Sequence, residues 1–294
     1  ADEETSATGI KRCIEWMKSQ DLTNLSCIIM EPTDNFTMLE NGGKGYCFLD
    51  IEGNMDDVIS SFKIIKESKE DILSRYPEKG DGFGTPTLEL TKISCLEKVE
   101  DENIQIVKGK SNHASRPYEN GAVNALEIAL KDNKDISYIV TGDSEGPNTI
   151  PATAIFVRNN LKYSKFRCKA HIDMRTNLAA NENNTLLKHV TKLLSNKLKV
   201  IIRDYGRAFK TTDERLISIC ETASGQRISV QLAKGGNDAP YLLELTDKID
   251  VFGPGTKRVI HTEEEFVEIN ALEKTPQIIS NIISEYLHST EARR

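Results

Sequence analysis

Three separated runs in this 294-residue chain carry groups able to do hydrolytic chemistry together. Asp2-Glu3-Glu4 opens the sequence, Glu31 stands between the run Leu25 to Met30 and Pro32, and Gly253-Pro254-Gly255 leads into Val259-Ile260-His261-Thr262. An Asp-Glu-Glu run can supply one carboxylate to hold a metal and another to move protons, and both are required when a metal activates water. A catalytic zinc site takes histidine nitrogen and carboxylate oxygen and keeps one position open, so His, Asp and Glu at strand ends are the residues that matter. Glu31 is well placed by this test, because ligands of open α/β sheets gather beyond the carboxyl ends of the strands. Taken singly, each has a bland alternative: an acidic run or a lone histidine is also ordinary surface.

Composition bounds the partners. At 38% hydrophobic and 28% charged residues the chain reads as globular, and its length suits two domains of about 100–150 residues. A net charge of −7, with the 38 basic residues scattered, argues against a nucleic-acid or anionic-membrane surface. No apolar run approaches a membrane span and no basic-then-apolar leader opens the chain, so a cytoplasmic protein is expected. Six cysteines, Cys13, Cys27, Cys47, Cys95, Cys168 and Cys220, include no Cys-x-x-Cys pair and read as reduced core thiols.

Periodicity predicts the elements that must position these groups. Thr8 to Gln20 has helical spacing, and Leu25 to Met30 reads as a buried strand, a βαβ-type layout with Glu31 at the carboxyl end. Asn41-Gly42-Gly43 reads as a break before a half-buried strand over Tyr46 to Ile51, which sets a domain boundary near residue 44. A helix is expected over Met55 to Ser74 and a Gly/Pro-rich loop over Pro77 to Pro86. Strands are expected near Ile104 to Val107, Ala154 to Val157, Phe166 to Asp173 and Lys199 to Ile202, and helices over Ala122 to Leu130 and Thr185 to Leu194. This mixed order suggests an α+β insert. Alternation then resumes with helices over Glu214 to Ala223 and Ala239 to Leu245 and strands over Ser229 to Leu232 and Ile249 to Phe252. A last helix, Leu272 to Leu287, places Ile278, Ile279, Ile282, Ile283 and Leu287 on one expected core face. The charges around Glu67 to Asp71 and Glu263 to Glu265 read as solvated surface.

Taken in order, these runs resemble the signatures of the zinc-dependent aminoacylase, carboxypeptidase G, succinyl-diaminopimelate desuccinylase and PepV-type dipeptidase family. Asp2-Glu3-Glu4-Thr5-Ser6, Met30-Glu31-Pro32-Thr33, Gly253-Pro254-Gly255 and His261-Thr262 with Glu264-Glu265-Phe266-Val267 carry the likeness in the outer parts. Gly109 to Pro117, with His113, and Gly121 to Ala125 resemble that family's lid signature. The resemblance implies an α/β, zinc-peptidase-like three-layer catalytic domain, residues 1–43 and 205–294, with an inserted α+β ferredoxin-like lid, residues 44–204. The segment from Asn41 to Gly45 and its distance from His113 look closer to the dipeptidase branch than to the deacylases.

Roles follow from the resemblance residue by residue. Glu3 resembles the general base, Glu4 the neighbouring metal ligand, Glu31 a carboxylate ligand of the other metal with Asp34 as its alternative, and His261 the terminal ligand sharing a metal with Glu4. His113 resembles the lid histidine that stabilises the tetrahedral oxyanion. Arg175 resembles the arginine that takes the substrate carboxylate, with Asn148 a second lid contact. Gly235-Gly236-Asn237-Asp238 resembles a substrate-binding Gly-Gly-Thr loop, with Asn237 in the threonine position. Two zinc ions are implied, cobalt or manganese being alternatives, and the implied reaction is hydrolysis of a dipeptide or N-acyl amino acid by metal-bound water. The same resemblance expects a His-x-Asp signature and a bridging aspartate before Ala1, so the catalytic domain is expected to be incomplete at its N-terminus and the activity to belong to a longer parent. His171-Ile172-Asp173 has the letters of the absent pair but lies in the insert. The alternative is a non-catalytic truncated or degenerate relative acting as a binding module, or one that pairs through its lid as a homodimer.

Overall fold

The computed structural model describes residues 8–22, 25–79, 82–95, 97, 104–132, 136–141, 149–158, 161–211, 214–233, 237–260 and 265–291. In chain order these form α1 (Thr8–Ser19), β1 (Cys27–Ile29), β2 (Met38–Gly43), β3 (Gly45–Asn54), α2 (Met55–Ser74), β4 (Thr87–Cys95), β5 (Ile104–Lys108), β6 (Asn112–His113), α3 (Ala125–Asp132), β7 (Ile136–Thr141) and β8 (Thr149–Ile150). There follow β9 (Thr153–Arg158), β10 (Arg167–Thr176), α4 (Leu178–Asn181), α5 (Thr185–Leu193), β11 (Lys199–Gly206), β12 (Phe209–Lys210), α6 (Glu214–Ser224), β13 (Ser229–Ala233), α7 (Ala239–Leu242), β14 (Ile249–Val251) and α8 (Ile269–Glu291). The chain divides into two compact units, Ala1–Lys44 with Ala208–Arg294, and Gly45–Arg207.

The first unit is built on a mixed sheet of order β1-β14-β2-β12, with β13 also paired to β2. Alternation along β1 sends Ile28 to one side and Cys27 and Ile29 to the other. Ile28 joins Leu39 and Phe252 against α6 and α8, while Cys27 and Ile29 join Ile249 and Phe209 against α1 and α7. The result is the three-layer helix-sheet-helix arrangement expected from the sequence.

The second unit contains a four-stranded antiparallel sheet of order β11-β3-β10-β4. With α2 following β3 and α5 preceding β11, the order of elements is β-α-β-β-α-β, the ferredoxin-like pattern. Between β4 and β10 the chain adds a three-stranded sheet, β5-β9-β7, the β6-β8 pair and α3. Helix α2 supplies the core: Val58, Phe62 and Ile65 are fully buried against Leu49, Leu90, Leu126 and Ile172.

Four expectations are corrected. Asn41-Gly42-Gly43 is not a break but the second half of β2. Its glycines are needed because a methyl group on Gly42 would stand 2.7 Å from the Phe209 carbonyl oxygen in the neighbouring strand. On α8, Ile278 and Ile282 are core, but Ile283 and Leu287 are 55% and 56% exposed, because α6 covers only one side of the helix. Cys13 is exposed, although Cys47, Cys168 and Cys220 are buried thiols. Lys69, inside the charge run from Glu67 to Asp71, is buried, since it falls on the same helical stripe as Phe62, Ile65 and Ile72. Five strands, β4, β6, β7, β8 and β12, carried no sequence expectation. No helix among the described residues is long and apolar enough to cross a membrane.

Phe62→Ala empties a fully enclosed site and should lower the unfolding free energy by about 3–5 kcal/mol, read from urea denaturation followed by circular dichroism.

Candidate functional site

The carboxyl ends of β1 and β14 lie side by side because these strands pair in parallel, Ile29 opposite Val251. Their continuing loops are fastened together. Thr33 Oγ1 donates to the Gly253 carbonyl at 3.0 Å and accepts from the Gly253 amide at 2.9 Å. The Asn35 amide donates to the Gly255 carbonyl at 3.0 Å, and Asn35 Oδ1 accepts from the Gly255 amide at 2.8 Å. Asp34 Oδ1 accepts from the Lys257 amide at 2.9 Å. Asp34, Asn35 and Phe36 all hold left-handed backbone, with φ of 50°, 54° and 68°. Three consecutive non-glycine residues in that region store about 1–3 kcal/mol each, a cost the interlocking bonds must offset.

Glu31 heads the first of these loops, and the second leads toward His261. Gly253 packs directly on the Glu31 backbone: a Cβ there would meet the Glu31 carbonyl oxygen at 2.7 Å. Gly255, at φ +102°, takes a conformation open to glycine and lies against Pro32. The ammonium of Lys257 pairs with buried Glu40 on β2. Burial pushes the Lys257 pKa down, while the nearby Asp34 and Glu31 carboxylates oppose that shift. Lys257 thus pairs with one carboxylate and is acted on through charge by two others. Lys257, Thr33 and Asn35 were not singled out in the sequence; the signal for Thr33 lay in the Glu-Pro-Thr run itself, and the other two had none.

A divalent metal suits this donor set in kind, since Glu31 and Asp34 offer carboxylate oxygens at a strand end. Among the described residues no three His, Cys, Asp or Glu side chains form a group that could hold an ion. Glu3, Glu4, Asn148, Gly236 and His261 lie outside the described residues.

In the second unit, His113 ends β6, paired with Thr149 of β8. Its Nδ1 accepts from the Ser115 amide at 3.2 Å and lies 2.7 Å from Ser115 Oγ. An amide can only donate, so Nδ1 carries the lone pair and the neutral ring holds its proton on Nε2. His113 is therefore set as an Nε2–H donor. Arg175 is 2% exposed and grips Asp173 with both arms of its fork, Nε to Oδ1 at 2.7 Å and Nη2 to Oδ2 at 2.8 Å. Its guanidinium lies over Phe48, 5.0 Å from the ring centre. His171 Nδ1 meets Asp50 Oδ1 at 2.6 Å across the strands, so His171 and Asp173 serve different partners. Asn237 is buried and its Oδ1 accepts from the Ala239 amide at 3.0 Å, shaping the entry to α7. Burial pushes the thiols of Cys47, Cys168 and Cys220 up to about 12, which removes them as nucleophiles near neutral pH.

The architecture is that of a two-unit α/β protein with strand-end carboxylates in one unit and a ferredoxin-like sheet in the other. The sequence model of peptidase family M20/M25/M40 matches residues 1–285, and the chain belongs to that family. No curated protein matches the sequence. Among solved structures the chain is similar to the M20 family metallo-carboxypeptidase Sso-CP2 from Sulfolobus solfataricus, at 14% identity and a TM-score of 0.47, covering 96% of this chain and 68% of that one. It is also similar to the Bacillus subtilis YXEP protein, a dinuclear metal binding peptidase, at 12% identity and a TM-score of 0.44, covering 92% and 60%. Human carnosine dipeptidase 1 matches at 12% identity and a TM-score of 0.43, covering 95% and 64%. The chain spans 58% of the length of aminopeptidase PepT from Bacillus cereus.

Gly253→Ala should cost about 1–3 kcal/mol of stability, because the added methyl would run into the Met30-Glu31 backbone; thermal unfolding followed by circular dichroism measures the loss.

Proposed function

We propose that the protein of which these residues form the described part hydrolyses the amide bond of a dipeptide or N-acyl amino acid with a pair of divalent metal ions, zinc first among them. Family membership supports the reaction class. The observation that carries the reading is the interlocked pair of strand-end loops, which brings the approach to His261 against Glu31. Glu31, with Asp34 as its alternative, Glu4 and His261 would hold the metal. When bound, it supplies Lewis acidity and lowers the pKa of the attacking water.

The remaining steps belong to side chains of this chain. Glu3 takes the proton from the attacking water and returns it to the leaving amine. His113 donates from Nε2 to the carbonyl oxygen as it gains charge. Arg175 takes the substrate carboxylate. Because Asp173 holds its Nε and Nη2 edge, that carboxylate must approach from the Nη1 side. Asn148, Gly236 and Asn237 complete the substrate contacts in this reading.

The test is turnover with two equivalents of zinc or cobalt on dipeptides and on N-acetyl and N-succinyl amino acids. Glu3→Gln and His113→Ala should each lower kcat by about 10²–10³-fold. Undiminished turnover in Glu3→Gln sinks the assigned base, and a chain that binds no metal and cleaves no substrate favours a non-catalytic binding module.

A further inference from the structure

Among the described residues Lys69 is the most deeply buried cation that the proposed chemistry leaves unused. Its ammonium lies 2.8 Å from Glu89 Oε1 and 2.7 Å from Glu127 Oε1, so α2, β4 and α3 meet at one charge. Lys69 and Glu89 are 6% and 1% exposed. Burial opposes the ammonium, but the two glutamates outweigh it and raise the Lys69 pKa. Desolvation costs of this size are borne only where the geometry is well satisfied, and such clusters serve specificity of arrangement better than net stability. The question is what this one arranges.

It touches the segment that carries His113. The Tyr118 ring centre is 5.5 Å from Lys69 Nζ, within cation–π range, and the Tyr118 hydroxyl is 3.5 Å from Glu89 Oε1. Tyr118 is 68% exposed, so its ring is held there by the charge rather than by enclosure. Two residues before Glu89, Thr87 Oγ1 donates to the carbonyl of Ala114, the residue after His113, at 3.1 Å. Thr87 and Glu89 stand opposite Arg175 and Asp173 in the β4-β10 register. One strand therefore reaches both the His113 turn and the Arg175 pair. Asn124 closes the other end of the segment, donating from Nδ2 to the Leu90 carbonyl at 3.0 Å and accepting from the Leu126 amide at 3.1 Å.

We propose that the Lys69-Glu89-Glu127 cluster is a positioning centre for the turn from Asn112 to Ala122, holding His113 through the Tyr118 ring and the β4 contact to Ala114. The kinetic part rests on the hydrolase reading; the structural part does not.

The test measures amide hydrogen exchange and kinetics in Lys69→Met, Tyr118→Leu and Tyr118→Phe. Tyr118 is exposed, so its variants fold even if Lys69→Met does not. Tyr118→Leu should speed exchange of the Arg116, Glu119 and Ala122 amides roughly tenfold, with β3 and β10 unchanged, while Tyr118→Phe, which keeps the ring, stays at the parent rate. In the hydrolysis assay Tyr118→Leu should lower kcat roughly tenfold at unchanged KM, with no further loss in a His113→Ala background. Unchanged exchange in the turn, or equal acceleration throughout the second unit, overturns the proposal, as does a kcat loss that adds fully to that of His113→Ala. If the parent chain cleaves nothing, the hydrolase reading fails and the exchange result alone decides.

Discussion

The parallel pairing of β1 with β14 is the constraint from which the candidate site follows. Parallel neighbours end on the same side of a sheet, so whatever loops follow Ile29 and Val251 must share one space. Those loops then lock through Thr33, Asn35 and Asp34 to Gly253, Gly255 and Lys257. The lock is reciprocal at two points, Thr33 with Gly253 and Asn35 with Gly255, each side chain answering a backbone group of the facing loop. Only glycine fits at Gly253 without moving Glu31, and the three left-handed residues from Asp34 to Phe36 persist because the facing loop holds them.

The second unit follows a different logic. Its four-stranded sheet turns one face to α2 and sets Asp173, Arg175, Thr87 and Glu89 together in register on adjacent strands. Charges on this sheet are neutralised within the protein: Arg175 by Asp173, and Lys69 by Glu89 and Glu127. Burial raises the Glu89 pKa and the Lys69 charge opposes that shift. Groups so arranged are immobile, which suits holding another group in place.

Much of the element order was legible in the chain. Helix α2 occupies the span its periodicity predicts, Lys199 to Ile202 lies on β11, and Ile249 to Val251 of the expected 249–252 strand forms β14, where a buried strand writes its environment into its apolar residues. Strand β2 was hidden because its two glycines read as a break, whereas they permit a close approach to β12. Lys69 was hidden because charge dominates its neighbourhood, although its position on the stripe of Phe62 and Ile65 marks an inward direction.

Residue type and spacing alone supplied the chemistry on offer: carboxylates and histidines near expected strand ends, an arginine in an expected strand, and an order of motifs matching one peptidase family. Only the tertiary structure decided which of them meet. Glu31 and Gly253 are 222 positions apart and touch because two strands pair; Arg175 faces Asp173 because two residues on one strand share a face; His113 carries its proton on Nε2 because a backbone amide two residues on has nothing to do but donate. Local pattern reports what a residue needs, burial or exposure, whereas pairing between distant strands depends on loop lengths and packing that no short window contains.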